Sequence, residues 1–291
     1  MARRIPSEIV CVDSMQLYRG MDIGTGKPEE ALRREVLHHG IDLADPEEEF
    51  NIARYAALIR PEIEAIRSRQ RFPILVGGSG LYVRALLEGL SPAPGEDRVL
   101  REQLIAQAKT EGSHILHARL KEVDPVASER IHSNDVRRIV RALEVYLSTG
   151  QPFTQWHKES KLSSEKGEGD CLFFGLTCKR ELLYQRIEER IDGWLARGWL
   201  EEARALSRRQ LSRTAREALG YRELFAYLDG STDWESTVKQ IKQHTRWYAK
   251  RQETWFRKGP KPIRWIDVEE KSAEATTEVV MGHFLSGKRI D

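Results

Sequence analysis

The chain is predicted to be an α/β protein, a parallel-sheet core carrying a small helical insertion domain. Three observations support that expectation. Four short apolar runs, bounded by Pro, Gly or charged residues, read as strands: Ile9–Val12, Phe72–Val76, Leu172–Thr177 and Ile263–Val268. A helical stretch, Ile52–Ser68, separates the first two, and strand, crossover helix, strand implies parallel pairing. After Leu90 the texture changes: Pro92, Pro94 and Gly95 break the pattern, and a helix-rich segment without a convincing strand runs to Gly150.

Taken in order, Ile9–Val12 ends in Asp13-Ser14 with a Gly-containing loop behind it. That is how an α/β enzyme presents a carboxylate at the carboxyl end of a central strand. Asn51 is the expected N-cap of Ile52–Ser68. The acidic run Glu47–Glu49 before it reads as a solvated helix entry, where negative charge is favoured, rather than as a metal site. Phe72–Val76 runs into Gly77-Gly78-Ser79-Gly80 and then the helical LYVRALLEGL. Strand, glycine loop and helix together offer backbone N–H groups to an anion. The loop lacks the Lys of a Walker A motif, however, and a tight βα turn explains it as well. Residues 92–169 are assigned to the inserted domain, with Lys158–Gly169 as a polar loop, leaving 1–91 and 170–291 as the core. Helices are expected over Glu181–Arg208, Arg213–Leu228 and Trp234–Lys258, before the last strand.

Composition mainly excludes. The 291 residues carry 47 basic and 45 acidic side chains for a net charge of +2, so partners must be read from where charge sits. Cys11, Cys171 and Cys178 are odd in number and lack close metal-ligand spacing; Cys11 and Cys178 sit in apolar runs, which fits a reducing cytoplasm. No apolar run approaches a membrane span and no signal-peptide core is present, so a soluble cytoplasmic protein is expected. Between Lys239 and Lys258 the bases Lys242, Arg246, Lys250, Arg251 and Arg257 face a single acid, Glu253. Such a helix suits a phosphate backbone, while its interleaved Trp247, Tyr248, Trp255 and Phe256 read as core. In NDVRRIVRALEVY, Asn134 or Asp135 can cap a helix whose Arg137, Arg138 and Arg141 project away from Ile139, Leu143 and Tyr146. Two basic surfaces on different domains suggest a shaped polynucleotide gripped between them.

Five segments, VDSMQLYRGMDIGTGKP, PILVGGSGLYVRALLEGL, DPVASERIHSNDVRRIVRALEVY, REALGYRE and KRQETWFRK, occur in one order at sensible spacing. Together they resemble the tRNA dimethylallyltransferases over nearly the whole chain. The resemblance implies a P-loop-NTPase-like α/β core with a helical insertion. It implies transfer of a dimethylallyl group from dimethylallyl diphosphate to N6 of the tRNA adenine at position 37, beside the anticodon, with Mg2+ assisting departure of diphosphate. It also implies roles for residues. Asp13 matches the catalytic carboxylate, which accepts the proton of a poorly nucleophilic amine as the C–N bond forms. Ser79 stands where many members carry Thr and offers a hydroxyl to orient that amine. Arg190, in YQRIEER, matches a residue facing the diphosphate. Segments that contact tRNA are matched by Asp13, Ser14, Met15 and Gln16; by Arg137, Arg138, Ile139, Val140 and Arg141; by Gly220, Tyr221 and Arg222; and by Lys250, Arg251, Gln252, Trp255 and Arg257. A flipped adenine would be read in a pocket between the two domains. The expected partners are the anticodon stem-loop and dimethylallyl diphosphate, bound by a monomer without a membrane.

The family begins with a strand, a GPTxxGK(S/T) loop and a helix leading to the Asp-bearing strand. No GxxxxGK(S/T) occurs in this chain; Gly26-Lys27 is followed by Pro28 and is wrongly spaced. MARRIP reads as the last turn of that helix. On this reading the first strand and P-loop are missing, and Ile9–Val12 is left beside a row of unpaired backbone groups. Arg190 would hold the diphosphate alone, so residues 1–291 are expected to transfer little or no prenyl group. A start codon placed too late or a truncated gene would explain this; the alternative is a protein that binds tRNA without catalysis. A small-molecule kinase with GGSG as its phosphate loop is a distant third reading. The paired basic clusters and the Asp-Ser-Met-Gln segment count against it.

Overall fold

Along β1 (Ser7–Cys11) the polar Ser7 and Glu8 give way to Ile9, Val10 and Cys11, and the strand lies where both its edges are paired. It sits between β2 (His38–His39) and β3 (Phe72–Val76), parallel to each, with Ile9 opposite His38 on one side and Ile74 on the other. The expected row of unpaired groups beside Ile9–Val12 is therefore not found. The short β2, which no apolar run announces, covers one edge, and the end of the sheet falls at β3, where Phe72 and Val76 are about half exposed. The computed structural model describes residues 1–156, 171–259 and 262–286, so the segment Lys158–Gly169 lies outside the described residues.

The chain divides into two units, residues 1–86 with 170–291, and residues 87–169, parting at residue 87 where Pro92 was expected. In the first unit, residues 1–6 form a turn, with Arg4 N–H donating to the Met1 carbonyl at 2.7 Å, in place of a helical turn. The short α1 (Glu30–Glu35) precedes β2. Helix α2 (Ile52–Ser68) starts where Asn51 Oδ1 accepts from Arg54 N–H at 2.9 Å, a cap worth about 1 kcal/mol. Its buried face, Tyr55, Ala56, Ile59, Ile63 and Ile66, follows helical spacing and packs on β1 and β3. Glu47 and Glu48, at the entry to α2, pair with Arg209 and Arg54. Helix α3 (Gly80–Leu87) follows β3.

The second unit stacks α4 (Arg98–Glu111), α5 (Ser113–Val123), α6 (Pro125–Arg130) and α7 (Val136–Thr149), with Asp135 capping α7. Its core gathers Leu104, Leu116, Leu120, Ile139 and Leu143.

Back in the first unit, β4 (Phe174–Thr177) pairs in parallel with β5 (Arg264–Asp267) as a separate two-stranded sheet. The helix expected over Glu181–Arg208 is two: α8 (Arg180–Ala196) and α9 (Trp199–Ser207), divided at Gly198 with φ +95°. Likewise α10 (Arg213–Arg216) and α11 (Tyr221–Leu228) are divided at Gly220 with φ +86°. Only glycine adopts such angles freely, so each becomes a joint. Helix α12 (Trp234–Arg257) runs unbroken, and α13 (Ala273–Leu285), which the sequence did not announce, follows β5. No helix among the described residues is long and apolar enough to cross a membrane.

Candidate active site

Parallel register sets Cys11 opposite Val76, so the segments leaving β1 and β3 emerge at the same end. Asp13 follows one strand and Gly77–Gly80 the other. A Cβ on Gly77 would lie 2.1 Å from the Val12 carbonyl oxygen, and one on Gly80 2.3 Å from the Trp255 ring. These glycines permit close packing, and Ser79 N–H is engaged by the Val12 carbonyl at 3.3 Å. The loop is a tight βα turn with that amide already taken. Ser79 Oγ accepts from Ser14 N–H at 3.1 Å.

Asp13 Oδ1 accepts from Met15 N–H at 2.8 Å and from Gln16 N–H at 3.2 Å, while Oδ2 accepts no bond among the described residues. Burial pushes this carboxyl above the usual carboxylate range; the two N–H donors pull it partway back, and no cation contributes. A carboxylate disfavoured by desolvation, with one oxygen unengaged, is suited to accept a proton.

Sequence reasoning missed Tyr248. Burial and the Asp13 charge raise its phenol, while Ser79 and Gln252 beside it pull it partway back. Gln252 Nε2 in turn donates to the Gly78 carbonyl at 3.0 Å. Tyr248, Gln252 and Trp255 stand at i, i+4 and i+7, a spacing that would have grouped them on one face of α12. The expectation that the α12 aromatics are core is half corrected. Trp255 packs under Gly80 and Phe256 against Phe173, whereas Trp247 is about half exposed and Tyr248, its hydroxyl end buried, keeps part of its ring exposed.

Gln16 turns inward: its Oε1 accepts from Cys11 Sγ at 2.9 Å and its Nε2 donates to the Thr25 carbonyl at 2.9 Å. Lys27 is almost wholly buried and donates to the Tyr18 carbonyl, Asp22 and Asp42. Arg190 lays its guanidinium 4.9 Å from the Trp194 ring centre and forms no ion pair among the described residues; desolvation lowers its pKa.

The remaining cations sort by whether a carboxylate holds them. Lys250 and Arg251 are exposed without an ion pair among the described residues, Arg251 lying over the Tyr248 ring. Lys242 and Arg246 pair with Asp192 and Glu188 along a groove that also meets Trp234 and Lys239. Arg257 pairs with Glu253 and covers Trp265. Arg222 is held by Glu223 and Glu217, while Tyr221 is fully buried behind Gly220. In the second unit Ile139 and Val140 are inside the core. Arg141 is tied to the buried Glu144 and to the Pro94 and Gly95 carbonyls, so Arg137 and Arg138, the latter loosely paired with Asp135 at 3.5 Å on the surface, are the outward cations of this segment. Among the described residues no group of three or more His, Cys, Asp or Glu side chains is placed to hold a metal ion.

A family model described as IPP transferase matches residues 16–259. The tRNA dimethylallyltransferase of Geobacter metallireducens is 45% identical over 286 residues, covering 98% of this chain and 91% of that protein. The protein of the same description from Symbiobacterium thermophilum is 47% identical over 283 residues, covering 96% and 88%. The solved structure of the full-length tRNA isopentenylpyrophosphate transferase from Bacillus halodurans is similar at TM-score 0.69 and 36% identity, with 98% of this chain and 89% of that one covered. A eukaryotic dimethylallyltransferase acting on tRNA is similar at TM-score 0.79 and 27% identity, covering 100% and 76%.

Proposed function

Because the chain belongs to the IPP transferase family, and is by that membership a prenyl-transferring enzyme of tRNA, we propose that it acts on N6 of the adenine at position 37. The α/β fold with parallel strands is the fold of that family. In the proposed reaction the N6 lone pair attacks C1 of dimethylallyl diphosphate. The C1–O bond breaks, diphosphate leaves with its electron pair, and Asp13 takes the N6 proton. Ser79 Oγ orients the amine, and Arg190, a cation with no carboxylate partner among the described residues, attracts the departing diphosphate.

The observation that carries this reading is Asp13 itself, raised by burial, free of cations and open at Oδ2. Arg137, Arg138, Lys250 and Arg251 are proposed as phosphate contacts for the RNA. Magnesium needs only one or two carboxylates when substrate phosphates complete its shell; with no multidentate cluster among the described residues, we propose that it enters with the diphosphate. The test supplies the intact protein with labelled dimethylallyl diphosphate, tRNA and magnesium, then digests the RNA and maps the label. Label on the adenine 3′ of the anticodon, abolished by Asp13→Asn, is the expected result. Label on another nucleotide, or transfer unaffected by Asp13→Asn, overturns the assignment.

A further inference from the structure

The loop after β1, residues 21–27, is held by a carboxylate from another part of the chain. Three successive backbone N–H groups, those of Asp22, Ile23 and Gly24, converge on Glu202 of α9, at 2.9, 2.9 and 3.3 Å for their contacting oxygens. Successive amides aimed at one anion form a nest. The buried Tyr221 hydroxyl donates to the same carboxylate at 2.5 Å and accepts from Gly24 N–H at 3.2 Å. Below the loop lies an aromatic floor. A Cβ on Gly24 would fall 1.9 Å from Trp199 Nε1, and one on Gly220 2.3 Å from the same ring. Trp199 meets Trp194 and Tyr221 edge-on, at 5.4 and 5.7 Å between ring centres.

From this seat a chain of hydrogen bonds leads to Asp13. The Thr25 and Gly26 carbonyls of the held loop accept from Gln16 Nε2 at 2.9 and 3.3 Å. The backbone N–H of that same Gln16 is one of only two donors to Asp13 among the described residues. We propose that Glu202, with Tyr221, is a positioning residue: it anchors the 21–27 loop so that Gln16 holds Asp13 in its reactive orientation. The kinetic side of this proposal rests on the prenyl-transfer reading above; the geometric side does not. It also gives Gly220 and Tyr221, both buried against the loop, a part in the site without touching RNA.

The groups facing Asp13 keep the readout clean. They are Cys11, Tyr55, Tyr82 and Tyr248, all with raised pKa and all neutral near pH 7. The two N–H groups are therefore what lowers the Asp13 carboxyl, and loosening them moves its titration upward. A misplacement of this kind lowers turnover by roughly 10–100-fold while leaving substrate binding nearly intact.

The experiment compares wild type, Glu202→Gln, Glu202→Asp and Tyr221→Phe, with the Asp13 carboxyl carbon followed by NMR across pH. Glu202→Gln is expected to raise the Asp13 midpoint, to lower kcat with little change in KM, and to move the acid limb of kcat to higher pH. Glu202→Asp restores part of each, and Tyr221→Phe gives a smaller change in the same direction. A Glu202→Gln protein that loses thermal stability yet keeps the wild-type Asp13 midpoint overturns the proposal. The NMR arm decides it even if no prenyl transfer is seen, so a failure of the reaction and a failure of the positioning are told apart.

Discussion

Strand β1 carries a carboxylate near each end, and the protein treats them in opposite ways. Glu8, at the amino end, is nearly inaccessible and is met by Arg69 at 2.8 Å, His39 at 2.7 Å and Arg71 at 3.7 Å. Burial alone would raise its pKa, but Arg69 and His39 together hold it below the usual range. Asp13, just past the carboxyl end, meets two backbone N–H groups and no cation among the described residues, and burial wins. The pair teaches that burial does not decide what a carboxylate is for; the partners supplied to it do. A carboxylate given cations stays charged and holds structure together. One denied them is left ready to take a proton.

The largest expected effect breaks the reactive end. Asp13→Asn should lower prenyl transfer by roughly 10²–10⁴-fold, the range for loss of a general base, measured as single-turnover rate on saturating tRNA. A loss of only a few-fold would make Asp13 another Glu8. Glu8→Ala should do the reverse, destabilising the fold by about 1–3 kcal/mol because it leaves polar partners without their acceptor. Its signature is a lower urea midpoint with unchanged kcat for the folded fraction.

The same contrast divides the arginines of α7. Replacing Arg137 and Arg138 together by Ala should weaken tRNA binding and shallow its salt dependence by about 0.7–0.9 in log–log slope for each phosphate no longer neutralised. Arg141→Ala should leave that slope alone and lower stability instead, since it strips a partner from the buried Glu144. Filter binding across a salt series separates the two. Equal slopes for both variants would erase the distinction.

The smallest effect is in pH. Glu8, lowered in the folded state, contributes stability above the unfolded carboxylate pKa and loses it as pH falls through the folded value, so Glu8→Gln should flatten the acid side of the stability curve. Asp13, raised in the folded state, has the opposite sign: its ionisation costs stability at neutral pH. Asp13→Asn should therefore raise the neutral-pH urea midpoint, with the gain vanishing below the unfolded carboxylate range.

Much of this was legible locally. Asn51 and the apolar spacing behind it mark α2 at both ends, and β3 runs between the bounds its apolar residues set. Asp13 and Ser79 could be placed because each follows a strand whose end is visible in the sequence. What could not be read depends on distant partners. The strand β2 is two histidines whose pairing comes only from lying beside Ile9 and Val10. Arg141 looks like a phosphate contact until the Pro94 and Gly95 carbonyls are found at its tip. Gly198 and Gly220 were visible, but an isolated glycine in a helical pattern is tolerated too often to mark a break by itself. Glu202 gives no local hint that it serves a loop some 178 residues earlier.

The thiol of Cys11, two residues before Asp13, has a practical side for bench chemistry. Burial and the Asp13 charge push it up to about 12, and its sulfur is committed to Gln16. Alkylating and oxidising reagents attack the thiolate, so near neutral pH they have almost nothing to attack there. Cys171 is exposed, while Cys178 is only partly so. A maleimide dye should therefore load Cys171 first and leave the strand beneath Asp13 unlabelled. The chain thus comes with its own attachment point for a fluorescent label, one that needs no cysteine to be removed from beside the reactive carboxylate.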